Sequence, residues 1–150
     1  MNEELPITLS ISLHNIHTEQ RKALMPITNK WSVEELLSAC HDYFRKTGRR
    51  ISFEYTLIDG ENDAPHQAEA LADGLKRYLP HMPIHVNLIP LNTVSDRQFR
   101  KSAADAVAAF QKRLIARGIN ATVRRRLGPD INASCGQLRL NAKKTIETTL

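Results

Sequence analysis

No stretch of about 18 apolar residues occurs anywhere in the 150-residue sequence, so no membrane-spanning helix is expected. The start, Met1-Asn2-Glu3-Glu4, is acidic and lacks a hydrophobic stretch of signal-peptide type, which makes a cytoplasmic location the default. Cysteine is scarce. Cys40 and Cys135 are the only two, too few for a disulfide framework or for the thiolate set that zinc and iron–sulfur sites draw from the protein. Low-complexity tracts and long linkers are absent as well. What is present is core-forming material, at 41% hydrophobic residues, and a formal net charge of +5. A surplus of positive charge suits an anionic partner, nucleic acid being the commonest, and it equally suits plain solubility.

The hydrophobic pattern alternates strand and helix. Residues 7–14 alternate strictly, with Ile7, Leu9, Ile11 and Leu13 on one face and Thr8, Ser10, Ser12 and His14 on the other. Ser32-Val33-Glu34-Glu35 reads as a capping box opening a helix that turns Val33, Leu36, Leu37, Cys40 and Phe44 to one side and stops at Gly48. Cys40 lies on that apolar stripe and reads as packing. A second strand is predicted at 51–58, with Asp59-Gly60 as its turn. Asp63 is the expected cap of a second helix, with Pro65 in its first turn. A third strand follows at 84–89. A third helix is predicted to open at Ser102 and close at Gly118, and a short fourth strand is predicted at 121–124.

The order β-α-β-α-β-α-β implies parallel strands with right-handed crossovers. In a doubly wound sheet both faces are covered and the strands are apolar throughout. Here Ser52, Glu54 and Thr56 repeat the polar alternation of the first strand. This suits an α/β barrel wall, with helices outside and a polar ligand inside. Ligands in parallel α/β folds sit at the C-terminal ends of the strands, which directs attention to Ser12-Leu13-His14, Asp59-Gly60 and residues 90–92. The first strand begins with no helix ahead of it, and Glu3-Glu4-Leu5-Pro6 reads as the end of a connection, so further strands are expected upstream.

Six ordered blocks carry a resemblance: Ser10-Ile11-Ser12-Leu13-His14, Leu24-Met25-Pro26-Ile27, Phe53-Glu54-Tyr55, Asp59-Gly60-Glu61-Asn62-Asp63, Val86-Asn87-Leu88-Ile89-Pro90-Leu91-Asn92 and Ser134-Cys135-Gly136-Gln137-Leu138. From about Leu5 to Leu138 the chain resembles the radical S-adenosylmethionine methyltransferases of the RlmN/Cfr family, which modify adenine in 23S ribosomal RNA. The resemblance implies the C-terminal part of a partial (β/α) barrel of TIM-like kind over residues 1–128, and a tail over 129–150 bearing a methyl-carrier cysteine. The family's CxxxCxxC motif, which holds a [4Fe–4S] cluster, is not in this sequence. The cluster would therefore belong to a missing N-terminal half or a companion chain, and this chain would provide no metal ligand.

Residue by residue, the resemblance makes Ser12, Leu13, His14 and Asn92 contacts for S-adenosylmethionine. It makes Cys135 the catalytic thiol, which is first methylated and then carries the carbon to adenine. A polarisable thiolate suits both roles, as nucleophile and as leaving group. Arg124, Arg125 and Arg126 are candidate RNA contacts, with Arg49-Arg50 and Arg97, Arg100 and Lys101 as further basic clusters. The expected partner is ribosomal RNA, with transfer RNA as a further target left open. Three departures bear on substrate: Thr93-Val94-Ser95-Asp96 replaces a usual Pro-x-Pro-Gly, Asn132 ends what is otherwise Asp-Ile-Asp, and Leu127 replaces a frequent Arg. The competing reading is a non-catalytic RNA- or S-adenosylmethionine-binding protein derived from the same family.

Overall fold

The computed structural model describes residues 8–91 and 99–124. Four parallel strands, β1 (Leu9–Ser12), β2 (Ile51–Leu57), β3 (His85–Pro90) and β4 (Asn120–Val123), form one sheet in the order β1-β2-β3-β4. Spatial order thus follows chain order, and every crossover steps sideways in the same direction. Crossovers of one hand then place every helix on the same face of the sheet, the geometry of a barrel wall and not of a doubly wound sheet.

Burial agrees with that geometry. Phe53, Tyr55, Leu57, Val86 and Leu88 are sealed against helices α2 (Val33–Thr47), α3 (Pro65–Tyr78) and α4 (Ala104–Ala116), whose Leu37, Leu71, Leu75, Phe110 and Leu114 complete the core. The Tyr55 and Phe110 rings meet at 5.2 Å. The opposite face of the sheet carries Ser10, Ser12, Ser52, Glu54, Thr56, His85, Asn87 and Thr122, as the alternation predicts. Among the described residues β1 pairs with β2 alone, so its outer edge is open.

Local chemistry accounts for most element ends. Ser32 Oγ accepts the Glu35 amide at 3.1 Å while a Glu35 carboxylate oxygen accepts the Ser32 amide at 2.8 Å, the predicted capping box. Gly48 ends α2 at φ 63°, a left-handed conformation that glycine adopts without a Cβ penalty. Two expected caps are corrected. Helix α3 starts after Ala64, and α4 starts after Ala103 with no side-chain cap. Asp63 and Ser102 instead bond each other, Ser102 Oγ donating to Asp63 Oδ2 at 2.7 Å, while Asp63 Oδ1 accepts the Gly60 amide at 3.0 Å. A tertiary partner has claimed both side chains. The periodicity also does not announce α1 (Thr18–Leu24) and the 3-10 turn Pro26–Asn29, which are too short to show a stripe.

Gly74 in α3 is set by packing. A Cβ there would lie 2.5 Å from Cγ1 of Ile16, in the β1–α1 connection. We expect Gly74→Ala to lower stability by about 1–3 kcal/mol, since overpacking must displace Ile16. Urea unfolding would show this as a lower midpoint at unchanged slope. An unchanged midpoint would mean that the connection yields freely.

Candidate functional site

Strand register assembles the site floor. Ser12 of β1 pairs with Glu54, Glu54 with Asn87, and Asn87 with Thr122, so one row crosses all four strands on the helix-free face. Next to it, Ser52 pairs with His85 and His85 with Asn120. The side chains link up. Ser52 Oγ meets His85 Nδ1 at 2.8 Å, and His85 Nε2 meets Thr122 Oγ1 at 2.9 Å. Thr122 Oγ1 reaches Asn87 Oδ1 at 3.5 Å, and Asn87 Nδ2 donates to the two Glu54 carboxylate oxygens at 3.4 and 3.2 Å. With the His85 proton on Nε2 every hydrogen in the chain points the same way, from Ser52 to Glu54. Burial is the first cause that lowers the His85 pKa, Arg50 adds to it, and Glu54 opposes it.

The C-terminal end of β1 is held with more force. Leu13 is fully buried, its amide donating to the Glu54 carbonyl at 2.9 Å. Arg21, on α1 and only 4% exposed, donates from Nε to the Leu13 carbonyl at 2.8 Å, from one terminal nitrogen to the Ser12 carbonyl at 2.9 Å and from the other to Thr28 Oγ1 at 3.0 Å. Burial pulls the Arg21 pKa down from its ordinary value. Asn62, 0% exposed, closes the other side. Its Nδ2 donates to the carbonyls of His14 and Thr56, both at 2.8 Å, and its Oδ1 accepts the Ile58 amide at 2.8 Å. The Tyr55 hydroxyl donates to the Asn62 carbonyl at 2.9 Å.

Between these clamps sits His14, at φ 58°, a conformation that costs a non-glycine residue about 1–2 kcal/mol. Its Nδ1 accepts the Thr56 amide at 2.9 Å. Burial first, and the Arg21 charge second, lower its pKa from 6.5 to about 4. A neutral imidazole is therefore the folded form at neutral pH. The linkage has a definite sign: with the folded pKa below the unfolded one, His14 contributes its full stability above pH 6.5 and loses it as pH falls toward 4. The contribution is on the order of 3 kcal/mol. We expect His14→Asn to flatten the pH dependence of stability across that window, measured by urea titration at stepped pH. An unchanged slope would contradict the assignment.

The predicted site residues divide accordingly. Ser12, Leu13 and His14 come together at one strand end. Leu13 directs its side chain into the core, while its backbone amide and carbonyl are both taken by protein partners. Exposed Arg124 follows β4 at the same end of the sheet, its amide bonded to the Leu88 carbonyl at 2.8 Å. Arg100 and Lys101 also lie at that end, where Asp59 bonds Arg100 and Ile58 bridges Lys101. Arg49 and Arg50 precede β2 and sit at the opposite end. Cys40 is 3% exposed in the core, and burial pushes its thiol up to about 11, so it serves packing. Asn92, Arg97, Arg125, Arg126 and Cys135 lie outside the described residues, as does the 128/129 domain boundary. Sequence reading missed Arg21 and Asn62. Asn62 sits inside a recognised block, Asp59-Gly60-Glu61-Asn62-Asp63, and a polar side chain between turn residues was its only signal.

Among the described residues no group of three His, Cys, Asp or Glu side chains is placed to hold a metal ion, and no helix is long and apolar enough to cross a membrane. No family model matches the chain. Among curated proteins, one described as a probable dual-specificity RNA methyltransferase RlmN from Clostridium perfringens is 49% identical over 138 residues, covering 92% of this chain and 39% of that protein. Proteins of the same description match from Clostridium botulinum at 48% over 147 residues (98% of this chain, 41% of theirs) and from Caldanaerobacter subterraneus at 52% over 138 residues (92% and 39%). The crystal structure of a radical SAM methyltransferase from Sphaerobacter thermophilus superposes with a TM-score of 0.80 at 42% identity, covering 91% of this chain and 39% of that one. A domain of a pyruvate-formate lyase-activating enzyme from Bacteroides vulgatus, 16% identical at a TM-score of 0.62 over 79% of this chain and 67% of its own, shares the fold. The chain spans about two-fifths of the length of the curated relatives it matches.

Proposed function

The chain belongs to the RlmN-type radical S-adenosylmethionine methyltransferases, of which it corresponds to the C-terminal portion, and on that premise we propose that it supplies the cofactor-contacting strand ends and the methyl-carrier thiol of an RNA adenine methyltransferase. The observation that carries this reading is the clamped Ser12–His14 strand end, opening onto a continuous row of polar groups on the uncovered face of the sheet.

The residues present fit S-adenosylmethionine. Ser12 offers a hydroxyl, His14 a neutral imidazole and Glu54 a carboxylate on the helix-free face. Between them they can meet ribose hydroxyls, a carboxylate or adenine nitrogen, and a cationic ammonium or sulfonium. Asn92, outside the described residues, would contribute a carboxamide. When bound, the cofactor supplies the methyl group and, after one-electron reduction, the radical that activates it. Cys135 would accept the methyl as a thiolate, with S-adenosylhomocysteine as the leaving group, and would hold the carbon as a thioether. Exposed Arg124, with Arg100 and Lys101 on the same rim, would meet RNA phosphates, making RNA affinity fall with added salt. The target is ribosomal RNA, transfer RNA being a second candidate, in the cytoplasm.

An iron–sulfur cluster does not fit the described residues, whose one cysteine is the buried, poorly ionised Cys40. The reducing electron would come from a complementary N-terminal portion. Two features suit its arrival. Among the described residues the outer edge of β1 is unpaired, and Ile27 and Trp31, 54% and 53% exposed, line an apolar cleft with Leu36 and Ala39 beside α2. Burial of Trp31, the single tryptophan, would shift its fluorescence to the blue on assembly.

Reconstitution tests this reading. The chain, combined with the cluster-bearing N-terminal portion of a relative, should form methyladenosine in 23S ribosomal RNA, read by nucleoside mass spectrometry. The chain alone should be colourless, iron-free and inactive. Stoichiometric iron with a visible charge-transfer band in the chain alone, or methylation without the other portion, would refute it.

A further inference from the structure

We propose that Arg21 is a positioning residue: by taking the Leu13 carbonyl it makes the His14 imidazole the acceptor for the Thr56 amide, which fixes His14 as an Nε2–H donor facing the ligand side of the sheet. The use made of that donor rests on the cofactor reading above, but the imidazole's state does not.

The Leu13 amide donates to the Glu54 carbonyl, and β1 and β2 pair as far as Ser12 and Glu54. In a regular parallel ladder the amide two residues further along β2, that of Thr56, would be met by the Leu13 carbonyl. Both lone pairs of that carbonyl are already engaged, by Arg21 Nε and by the Asn15 amide, each at 2.8 Å. The chain turns at His14 into the left-handed region, φ 58°, and the imidazole folds back so that Nδ1 meets the Thr56 amide at 2.9 Å. The side chain has replaced a main-chain carbonyl.

This substitution determines the tautomer. A backbone N–H can only donate, so Nδ1 must accept and the single proton of the neutral ring sits on Nε2. Asn62, bonded to the His14 and Thr56 carbonyls, stops the ring from being drawn away. Among the described residues nothing accepts from Nε2. The strand end therefore presents one fixed N–H donor, which selects an acceptor atom on a ligand, a carboxylate oxygen or a purine ring nitrogen, and discriminates against a donor. Arg21 holds this arrangement without touching the ligand. It also bonds the Ser12 carbonyl, on the outward side of β1, and so ends the strand at the residue where the ligand-facing hydroxyl is needed.

The test uses the full chain labelled with nitrogen-15 and read by long-range proton–nitrogen correlation of the histidine rings, His14 being assigned by its loss in His14→Asn. The expected wild-type pattern is a pyridine-type Nδ1 and a pyrrole-type Nε2, persisting down to pH 5. In Arg21→Met the Leu13 carbonyl keeps the Asn15 amide but gains a free acceptor position for the Thr56 amide, so the His14 signals should move to the averaged positions of exchanging tautomers and titrate closer to pH 6.5. Thr28→Val, which removes only one Arg21 partner, should shift the ring in the same direction by a smaller amount and keeps the test open if Arg21→Met does not fold. A protonated Nδ1 in the wild type, or a His14 ring unchanged in whichever Arg21 or Thr28 variant folds, would overturn the proposal.

Discussion

Asn62→Ala is expected to remove about 3–5 kcal/mol of stability, because the substitution strips partners from three backbone groups at once, one buried and two partly buried. The side chain is fully enclosed and serves the His14 carbonyl, the Thr56 carbonyl and the Ile58 amide. Each orphaned group costs about 1–3 kcal/mol when water cannot reach it. A chain stabilised by only about 5–15 kcal/mol would feel that strongly. Asn62→Asp separates the electrostatics from the shape. It keeps an acceptor for the Ile58 amide but faces two carbonyls with a carboxylate, so it should be worse than Ala at neutral pH and recover in part once protonated. Urea unfolding of the two variants at pH 7 and pH 4.5 would resolve this. Equal, small losses for both would mean that the loop after β2 does not hold the strand end in place.

The second large effect concerns chemistry. In enzyme reassembled from this chain and a cluster-bearing partner, Cys135→Ala should abolish methyladenosine formation, since a methyl side chain cannot act as a polarisable carrier that must both take up and release carbon. Cys40→Ala is the matched control. Its thiol is buried, and its pKa is raised to about 11, so it contributes packing and not thiolate. That variant should cost about 1 kcal/mol of stability, a cavity effect, and leave methylation in place. Retained product in Cys135→Ala, or lost product in a folded Cys40→Ala, would reverse the roles of the two cysteines.

Much of the architecture was legible because it depends on local periodicity. Ile51, Phe53, Tyr55 and Leu57 alternating with Ser52, Glu54 and Thr56 announce a strand covered on one side, and the sequential sheet order explains why that side is the same for all four strands. Ser32 and Glu35 announce a helix start because both capping bonds lie within one turn. The misreadings share the opposite property. Asp63 and Ser102 have the composition of helix caps, but they bond each other across 39 residues of sequence, a contact no local pattern contains. Arg21 carries no local signal that sets it apart from the polar residues around it. Only the folded strand end shows it buried, feeding three acceptors. Leu13 was expected to contact the cofactor with its neighbours, yet its backbone is spent on Glu54, Arg21 and Asn15, which leaves Ser12 and His14 as the candidates for that contact. The resemblance pointed to this strand end, and the hydrogen bonds show which of its groups the protein itself occupies.

The most direct measurement is mass spectrometry of the proteolytic peptide carrying Cys135, taken from this chain expressed together with the cluster-bearing portion of a relative and actively methylating RNA. The account predicts that a fraction of this peptide carries one added methyl group on sulfur, and that the Cys40 peptide carries none. Methylated RNA accompanied only by unmodified Cys135 would contradict it.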